Sequence, residues 1–273
     1  FDSKRTGRDL VLKSRQVGIS TYVQGEIFRN LVTRTTRAAT LCHIDSSTQI
    51  LRQTSDRFYK NFPDNIIEFH KPIRETSNSV MSTYPETDSS HIIGTAGSVD
   101  FGRGGSFSIF HGSEVAFWKD AEKIVNGIMQ AGDPDIILES SPNGAQGYFY
   151  NLCMEALAGR GVWKLHFYPW TMNPEYMTPG WVETKKQELG RFFDQEYPSD
   201  AVECFLGSSK GYFSGIDLRN TFTAPSNTAR IPGHVYSAGI DFGQSADFTF
   251  MSVIDRTDNR QVDYLHINKM SWN

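Results

Sequence analysis

Short apolar runs alternate with amphipathic stretches through the first 170 residues of the chain. The apolar runs predict strands covered on both faces, because such strands are apolar at nearly every position. Apolar residues that recur three and four positions apart predict helices, and several of these stretches are preceded by Ser, Thr or Asp. The predicted strands are 9–13, 39–44, 90–95, 107–111, 135–140 and 163–168, and the predicted helices are 20–32, 47–61, 119–130 and 147–158.

This alternation predicts an α/β fold over residues 1–169, with a parallel sheet covered by helices on both faces. Ligands of such sheets bind beyond the carboxyl ends of the strands. Residues 170–206 contain several Trp and Pro residues around one predicted helix, 181–193, and predict a small lid subdomain. Residues 207–234 are rich in Gly, Ser, Thr and Pro and predict a linker. Beyond them, a further domain over 235–273 is predicted to begin with strands at 235–242, 249–255 and 261–269.

Composition narrows the class of protein. Hydrophobic residues make up 38% and charged residues 21% of the 273 residues, as in ordinary soluble domains. No apolar run approaches the roughly 20 residues of a membrane helix, and no signal peptide is recognisable, so we expect a protein that is neither secreted nor membrane-bound. Three widely spaced cysteines argue against a disulfide framework and suit a reducing cytoplasm. The seven histidines lack paired metal spacing, so most are expected to be surface or structural residues.

Charge gives little indication of a nucleic-acid partner. The formal net charge is −4, whereas a dedicated nucleic-acid-binding module is usually basic. The charge is uneven, however, because residues 1–37 carry eight basic and three acidic residues. A local basic face is therefore compatible with the sequence, although composition alone does not predict DNA binding.

The stretch K-S-R-Q-V-G-I-S-T at 13–21 follows an apolar run and leads into a predicted helix. This is the layout of a phosphate-binding loop between a buried strand and a helix. The usual loop ends in Gly-Lys-Ser/Thr, but here Ile19 occupies the lysine position and the basic residues lie earlier. The competing interpretation is a basic turn before a surface helix.

If this stretch is a phosphate-binding loop, we expect it to make three kinds of contact with a nucleotide. A cation near the front of the loop reaches the β- and γ-phosphates, the backbone approaches them closely, and a hydroxyl holds Mg²⁺. The sequence leaves the cation and the hydroxyl open. The candidate residues are Lys13 or Arg15 for the cation, Gly18 for the close backbone approach and Ser20 or Thr21 for Mg²⁺, with Gln16 as a further nucleotide-binding residue.

A second chemical candidate is Glu114, which follows the predicted strand 107–111. Hydrolysis of a nucleoside triphosphate needs a carboxylate at such a strand end to orient the attacking water. An acidic residue directly before this glutamate commonly supports Mg²⁺, but Ser113 occupies that position, so we expect weaker or hydroxyl-based support. We expect Glu114 to face the cationic loop across a triphosphate pocket, at neighbouring strand tips. The alternative is a solvated surface glutamate.

Three further segments carry candidate residues. Strand 135–140 ends in Ser140 and Ser141 before a Pro-Asn-Gly turn, and either hydroxyl is placed to reach the γ-phosphate or the glutamate. Arg103 lies in a glycine-rich loop and suits stabilisation of charge on a phosphoryl group, within the subunit or in a neighbour. Strand 235–242 carries Asp241 into a turn, and Asp247 follows it. Two uses fit this acidic pair: a first metal ligand of a two-metal nuclease, or a phosphate-binding hairpin of an actin-like ATPase.

In their order and spacing, these segments resemble the large terminase subunit of tailed bacteriophages, the DNA-packaging motor. Residues 13–21 resemble its variant Walker A loop, residues 111–118 (H-G-S-E-V-A-F-W) its Walker B segment, and residues 140–144 (S-S-P-N-G) its coupling motif. The resemblance spans nearly the whole chain. Further similar runs are Y-P-W at 168–170, N-P-E-Y at 173–176, D-Q-E-Y-P at 194–198 and E-C-F-L at 203–206.

The resemblance implies an ASCE-type P-loop NTPase that uses ATP and Mg²⁺ to drive double-stranded DNA into a procapsid. It implies that Glu114 is the catalytic glutamate and that Arg103 acts on the nucleotide of a neighbouring subunit. The implied partners are the portal protein of the procapsid, a small terminase subunit and further copies of the chain in a ring, usually of five. The implied location is the cytoplasm of the infected bacterial host.

The resemblance also implies an RNase H-like endonuclease that uses two Mg²⁺ or Mn²⁺ ions, with Asp241 and Asp247 as its first acidic ligands. The sequence lacks the stretch that usually contacts adenine, and it lacks the later nuclease strands with their carboxylates. We therefore expect 235–273 to be the N-terminal part of the nuclease domain, without cutting activity. The alternatives are a helicase-like DNA translocase and a degenerate fragment that does not hydrolyse ATP.

Overall fold

The computed structural model describes residues 1–63, 71–78, 80–97, 106–207, 230–241 and 248–268. The chain divides into two compact units, Phe1–Gly215 and Ile216–Asn273. Within the described ranges, no helix combines the length and the apolar character needed to cross a lipid bilayer. The thiols of Cys42, Cys153 and Cys204 are buried and form no disulfide.

An eight-stranded sheet forms the centre of the first unit, in the order β3-β4-β5-β2-β6-β7-β1-β8. Six neighbouring strands of this sheet, β5-β2-β6-β7-β1-β8, run parallel to one another. The other two, β3 and β4, are antiparallel and lie at one edge. The predicted parallel sheet is therefore confirmed. The strands are β1 (Arg8–Lys13), β2 (Arg37–Cys42), β3 (Thr76–Ser77), β4 (Met81–Tyr84), β5 (Ser89–Thr95), β6 (Ile109–Ser113), β7 (Asp135–Ser140) and β8 (Lys164–Tyr168).

Helices cover both faces of this sheet, as the apolar patterns predict. Leu10 and Leu12 of β1 pack on one face against a cluster that includes residues of α3 and α4. Val11, between them, packs on the opposite face against α1. This alternation follows from the two-residue period of a strand. The helices are α1 (Ile19–Thr33), α2 (Asp45–Lys60), α3 (Ala121–Gln130) and α4 (Tyr148–Leu157).

The predicted lid region, 170–206, packs within the first unit around a cluster of aromatic side chains. The ring of Trp181 stacks on Tyr176, with 4.3 Å between centroids, and meets Tyr197 edge-on at 4.9 Å. The predicted helix 181–193 ends earlier, because the chain turns at Gly190, whose φ is 52°. The helices here are α5 (Trp181–Leu189), α6 (Phe193–Glu196) and α7 (Glu203–Gly207).

The second unit contains a three-stranded antiparallel sheet in the order β11-β10-β9. The three strands predicted for this region are confirmed, with small shifts of their ends. Most of the predicted linker, and the turn that follows Asp241, lie outside the described residues. The strands are β9 (Tyr236–Asp241), β10 (Phe248–Asp255) and β11 (Arg260–Asn268).

Candidate nucleotide site

The loop between β1 and α1 turns tightly, with two residues in the left-handed conformation. Gly18 has φ 79° and Gln16 has φ 56°, both in the left-handed region that favours glycine. No side chain caps the N-terminus of the 15-residue helix α1. The first turn of such a helix presents backbone N–H groups and the positive end of its dipole, which together favour an anion.

The end of β8 and the lid region together hold the front of this loop. The N–H groups of Ser14 and Arg15 donate to the carbonyl oxygens of Tyr168 and Glu196, at 2.9 and 3.0 Å. The Arg15 guanidinium pairs with the Glu196 carboxylate at 3.1 Å, and its side chain is 62% exposed. The hydroxyl of Tyr176 lies 3.2 Å from Oε1 of Gln16, to which it donates. Contacts from the end of β8 and from the lid therefore fix the conformation of residues 14–16.

Lys13 is the buried cation of the site. As the last residue of β1, it has its Nζ 3.3 Å from Oε1 of Glu114 and 3.9 Å from Oε2 of Glu139. Burial acts to lower the pKa of Lys13, but these two carboxylates outweigh it, so the pKa lies above its usual value. Lys13 therefore stays charged, whereas Ile19, at the usual lysine position, packs into the apolar cluster.

Glu114 directly follows β6, where its φ of 58° places it in the left-handed region. A non-glycine residue in this conformation costs of the order of 1 kcal/mol or more, and such residues cluster at functional sites. Its Oε2 lies 3.4 Å from the hydroxyls of Ser140 and Ser141 and from the N–H of Ser141. Of the two predicted roles for these serines, contact with the glutamate is thus present in this structure.

The predicted cation and glutamate meet, but their strands are not neighbours. β7 lies between β1 and β6 in the sheet, so the expectation of neighbouring strand tips is wrong. The long side chains of Lys13 and Glu114 reach across the end of β7. The intervening strand consequently contributes to the same site, and its residues are Glu139 and Ser140.

Sequence reasoning missed Glu139. Its side chain has no exposed surface, and its Oε1 lies 3.1 Å from Nε2 of His111. Burial acts to raise the pKa of Glu139, but Lys13, His111 and Ser20 outweigh it and lower the pKa to about 2. The one sequence signal was an acidic residue inside an otherwise apolar strand, since a buried carboxylate is rare unless it is paired.

A line of buried polar side chains continues from Glu139 across the sheet. Nε2 of Gln24, in α1, lies 3.1 Å from Nδ1 of His111 and 3.2 Å from the hydroxyl of Thr40. Because an amide nitrogen donates, Nδ1 of His111 accepts, and its Nε2 is left to donate to Glu139. The Thr40 hydroxyl also lies 2.9 Å from Nε2 of His91. Burial, with smaller effects of His111 and Arg52, lowers the pKa of His91 to about 3, so this ring is neutral.

The remaining predicted residues fall in different places. Ser20 is half-buried and interacts with Glu139, whereas Thr21 is exposed. Asp241 is an exposed residue at the end of β9, in the second unit. Arg103 and Asp247 lie outside the described residues. The structure thus brings together Lys13, Glu114, Ser140 and Ser141 beside the loop that carries Gln16, Gly18 and Ser20.

Comparison with known proteins gives no match by sequence but clear matches by structure. No protein-family model matches the chain, and no curated protein sequence matches it. The large terminase ATPase domain of Thermus phage P74-26 is 16% identical, with a TM-score of 0.53 over 72% of this chain and 89% of that one.

Two longer terminases match almost the whole chain. The large terminase of a thermophilic bacteriophage is 11% identical, with a TM-score of 0.56 over 96% of this chain, and that of bacteriophage HK97 is 14% identical, with a TM-score of 0.57 over 95%. This chain covers 63% and 58% of those two structures. The terminase of the thermophilic bacteriophage has also been solved with ADP and with ATP-γ-S. The chain therefore has the fold of phage large terminases, as its motifs predict.

Proposed function

We propose that this chain is an ATPase of the large terminase type. The contact of Lys13 with Glu114 carries this proposal, because it places a buried cation and a catalytic-type carboxylate 3.3 Å apart beside a glycine-containing loop at a helix N-terminus. ATP is the proposed substrate, since solved structures of the same fold contain ADP and ATP-γ-S.

In this proposal, each step of hydrolysis has its own side chains. Lys13 contacts the β- and γ-phosphates of bound ATP. The phosphates then balance the positive charge of Lys13, which Glu114 balances in this structure. Glu114, freed from Lys13, orients the attacking water. Ser140 and Ser141 keep Glu114 in position through their hydroxyls. Arg15 is exposed and paired with Glu196, so Lys13 is the stronger candidate for the cation that acts within the subunit.

Mg²⁺ is the proposed metal of the nucleotide site. Ser20 is the better of the two candidate hydroxyls, because it is half-buried and contributes to the low pKa of the Glu139 carboxyl group, whereas Thr21 is exposed. A hydroxyl beside a carboxylate is an oxygen environment of the kind that Mg²⁺ prefers. When bound, Mg²⁺ neutralises charge that develops on the phosphates.

The motor and nuclease functions extend this proposal to the assembled particle. We propose that ATP hydrolysis drives double-stranded DNA into a procapsid, with a ring of five copies acting on the portal protein after a small terminase subunit has selected the DNA. Arg103 is proposed to act on the nucleotide of the neighbouring copy. Asp241 and Asp247 are proposed as the first metal-binding residues of an RNase H-like nuclease. The proposed site of action is the cytoplasm of the infected host.

Replacement of the catalytic glutamate tests the ATPase proposal. Glu114→Gln should abolish phosphate release from MgATP while nucleotide binding persists, since it removes the base but keeps the size of the side chain. Turnover is measured at high chain concentration with double-stranded DNA present. Glu155→Gln, on the exposed face of α4, is the matched control and should retain the turnover of the parent. Unchanged turnover in Glu114→Gln would reject the assignment.

A further inference from the structure

The proposed ATPase site has an unusual feature at the position before its glutamate. A carboxylate there normally helps to hold Mg²⁺ together with the hydroxyl of the phosphate loop. In this chain that position is Ser113, which is buried at the end of β6. The strand that carries Glu114 therefore offers no carboxylate for the metal besides Glu114 itself.

The neighbouring strand supplies a carboxylate at the same level of the sheet. Ser113 and Glu139 are register partners in the parallel pair of β6 and β7. Directly opposed residues of adjacent strands project to the same face of the sheet. The carboxylate of Glu139 thus lies beside the position where a metal-supporting aspartate is expected, on the face covered by α1.

Ser20 connects this carboxylate to the phosphate loop. Ser20 is half-buried, and its hydroxyl contributes to the low pKa of the Glu139 carboxyl group. Ser20 lies in the first turn of α1, two residues after Gly18. This is the pairing of loop hydroxyl and carboxylate that holds Mg²⁺ in phosphate-loop enzymes, with the acid provided by a different strand.

One oxygen of Glu139 has an ion pair with Lys13 but no hydrogen bond within the described ranges. His111 occupies Oε1, whereas Oε2 is buried and forms no hydrogen bond of normal geometry with any residue that the structure describes. Its nearest charge is the ammonium group of Lys13, at 3.9 Å. A buried carboxylate oxygen without a hydrogen bond is costly, and a hard cation is the ligand that such an oxygen suits.

We propose that Glu139 supplies the carboxylate of the Mg²⁺ site, in place of the residue at position 113, and that His111 orients it. This inference rests on the proposed ATPase function. The carboxyl end of β7 then has two functions. Glu139 binds the metal, and the hydroxyls of Ser140 and of Ser141, which follows the strand, hold Glu114 in position. The role of the strand therefore extends beyond positioning the glutamate.

The affinity of the chain for Mn²⁺ in the presence of saturating ADP tests this role, with free Mn²⁺ followed by electron paramagnetic resonance. Glu139→Gln should weaken Mn²⁺ binding by roughly 10- to 100-fold, the usual effect of losing a group that supports a metal. ADP binding in EDTA, followed by calorimetry, should stay close to that of the parent. Glu155→Gln should leave both affinities unchanged.

Two further variants separate metal support from a purely structural role. Glu139→Asp keeps the charge that compensates Lys13 but shortens the side chain, so it should fold and still bind Mn²⁺ less tightly than the parent. Adding Ser113→Asp to Glu139→Gln returns a carboxylate to the usual position and should restore much of the lost Mn²⁺ affinity. A structural role predicts no such recovery.

The outcomes distinguish this inference from the function on which it rests. Parent-like Mn²⁺ affinity in folded Glu139→Gln and Glu139→Asp would overturn the role of Glu139 while leaving the nucleotide site intact. An equal loss of ADP affinity with and without metal would also overturn it, because that pattern indicates a distorted loop. Failure of the parent chain to bind ADP under either condition would reject the nucleotide site as a whole.

Discussion

The two faces of the central sheet differ in chemistry although the same strands build both. Leu138 and Glu139 are consecutive residues of β7, and each is completely buried, but they project to opposite faces. Leu138 joins an apolar cluster with residues of α3 and α4. Glu139 belongs to the line of polar side chains that runs under α1 to His91. One face of the sheet is therefore an ordinary core, and the other combines a core with a buried polar network.

This difference separates the main source of stability from the proposed nucleotide site. Burying a large apolar side chain stabilises a fold by about 1.5–3 kcal/mol, whereas buried charges repay their desolvation only when they are well paired. The line of buried polar side chains therefore adds little stability for the surface area that it buries. It ends at Lys13, Glu139 and Glu114, at the carboxyl edge of the sheet where ligands of α/β folds bind.

The largest stability effect is expected on the apolar face. Phe149, in α4, is 1% exposed, and Phe149→Ala should lower the free energy of unfolding by about 3–5 kcal/mol because it leaves a cavity. Denaturant unfolding measures this loss. ADP affinity under conditions where the variant is folded should match that of the parent. A folded variant that no longer binds ADP would contradict the division of roles between the faces.

A smaller effect is expected within the polar line. Thr40→Val removes the hydroxyl shared by Gln24 and His91 without changing the shape of the side chain, and it should cost about 1–3 kcal/mol of stability, measured by denaturant unfolding. Thr40→Ser keeps the hydroxyl and is the matched control, with a smaller loss. If Thr40→Val were as stable as the parent, the hydrogen bonds of this line would contribute nothing to the fold.

The smallest effect is expected at the exposed edge of the loop. Arg15→Ala breaks the ion pair with Glu196, in which the arginine is 62% exposed, so the change in stability should stay below about 1 kcal/mol. ATP-γ-S affinity should fall less than in a variant of Lys13. A larger loss of affinity in Arg15→Ala than in Lys13→Gln would show that Arg15, and not Lys13, is the phosphate-binding cation.

The sequence predicted the elements better than their arrangement. All six parallel strands and the four helices α1 to α4 follow from apolar periodicity, because that pattern is local. The order of strands is a tertiary property, so the position of β7 between β1 and β6 was not predictable from the patterns. The short strands β3 and β4 were missed, since segments of two and four residues carry almost no periodic signal.

The candidate site shows the same limit at the level of single residues. Glu114 and the loop at 13–21 were found because their residue types and spacing match known chemistry. Glu139 escaped notice because its role depends on its register with Ser113 on another strand. A carboxylate supplied from a neighbouring strand leaves only a weak mark in the sequence, namely one acidic residue in an apolar run.

Binding of ATP-γ-S with Mg²⁺, followed by calorimetry, tests the central claim most directly. Lys13→Gln should weaken it about 10- to 100-fold, as expected for loss of a charged hydrogen bond worth about 1.5–3 kcal/mol. Arg8→Gln, which removes a cation at the opposite end of the same strand, should bind like the parent. Equal affinities in the parent and in folded Lys13→Gln would contradict a triphosphate site between Lys13 and Glu114.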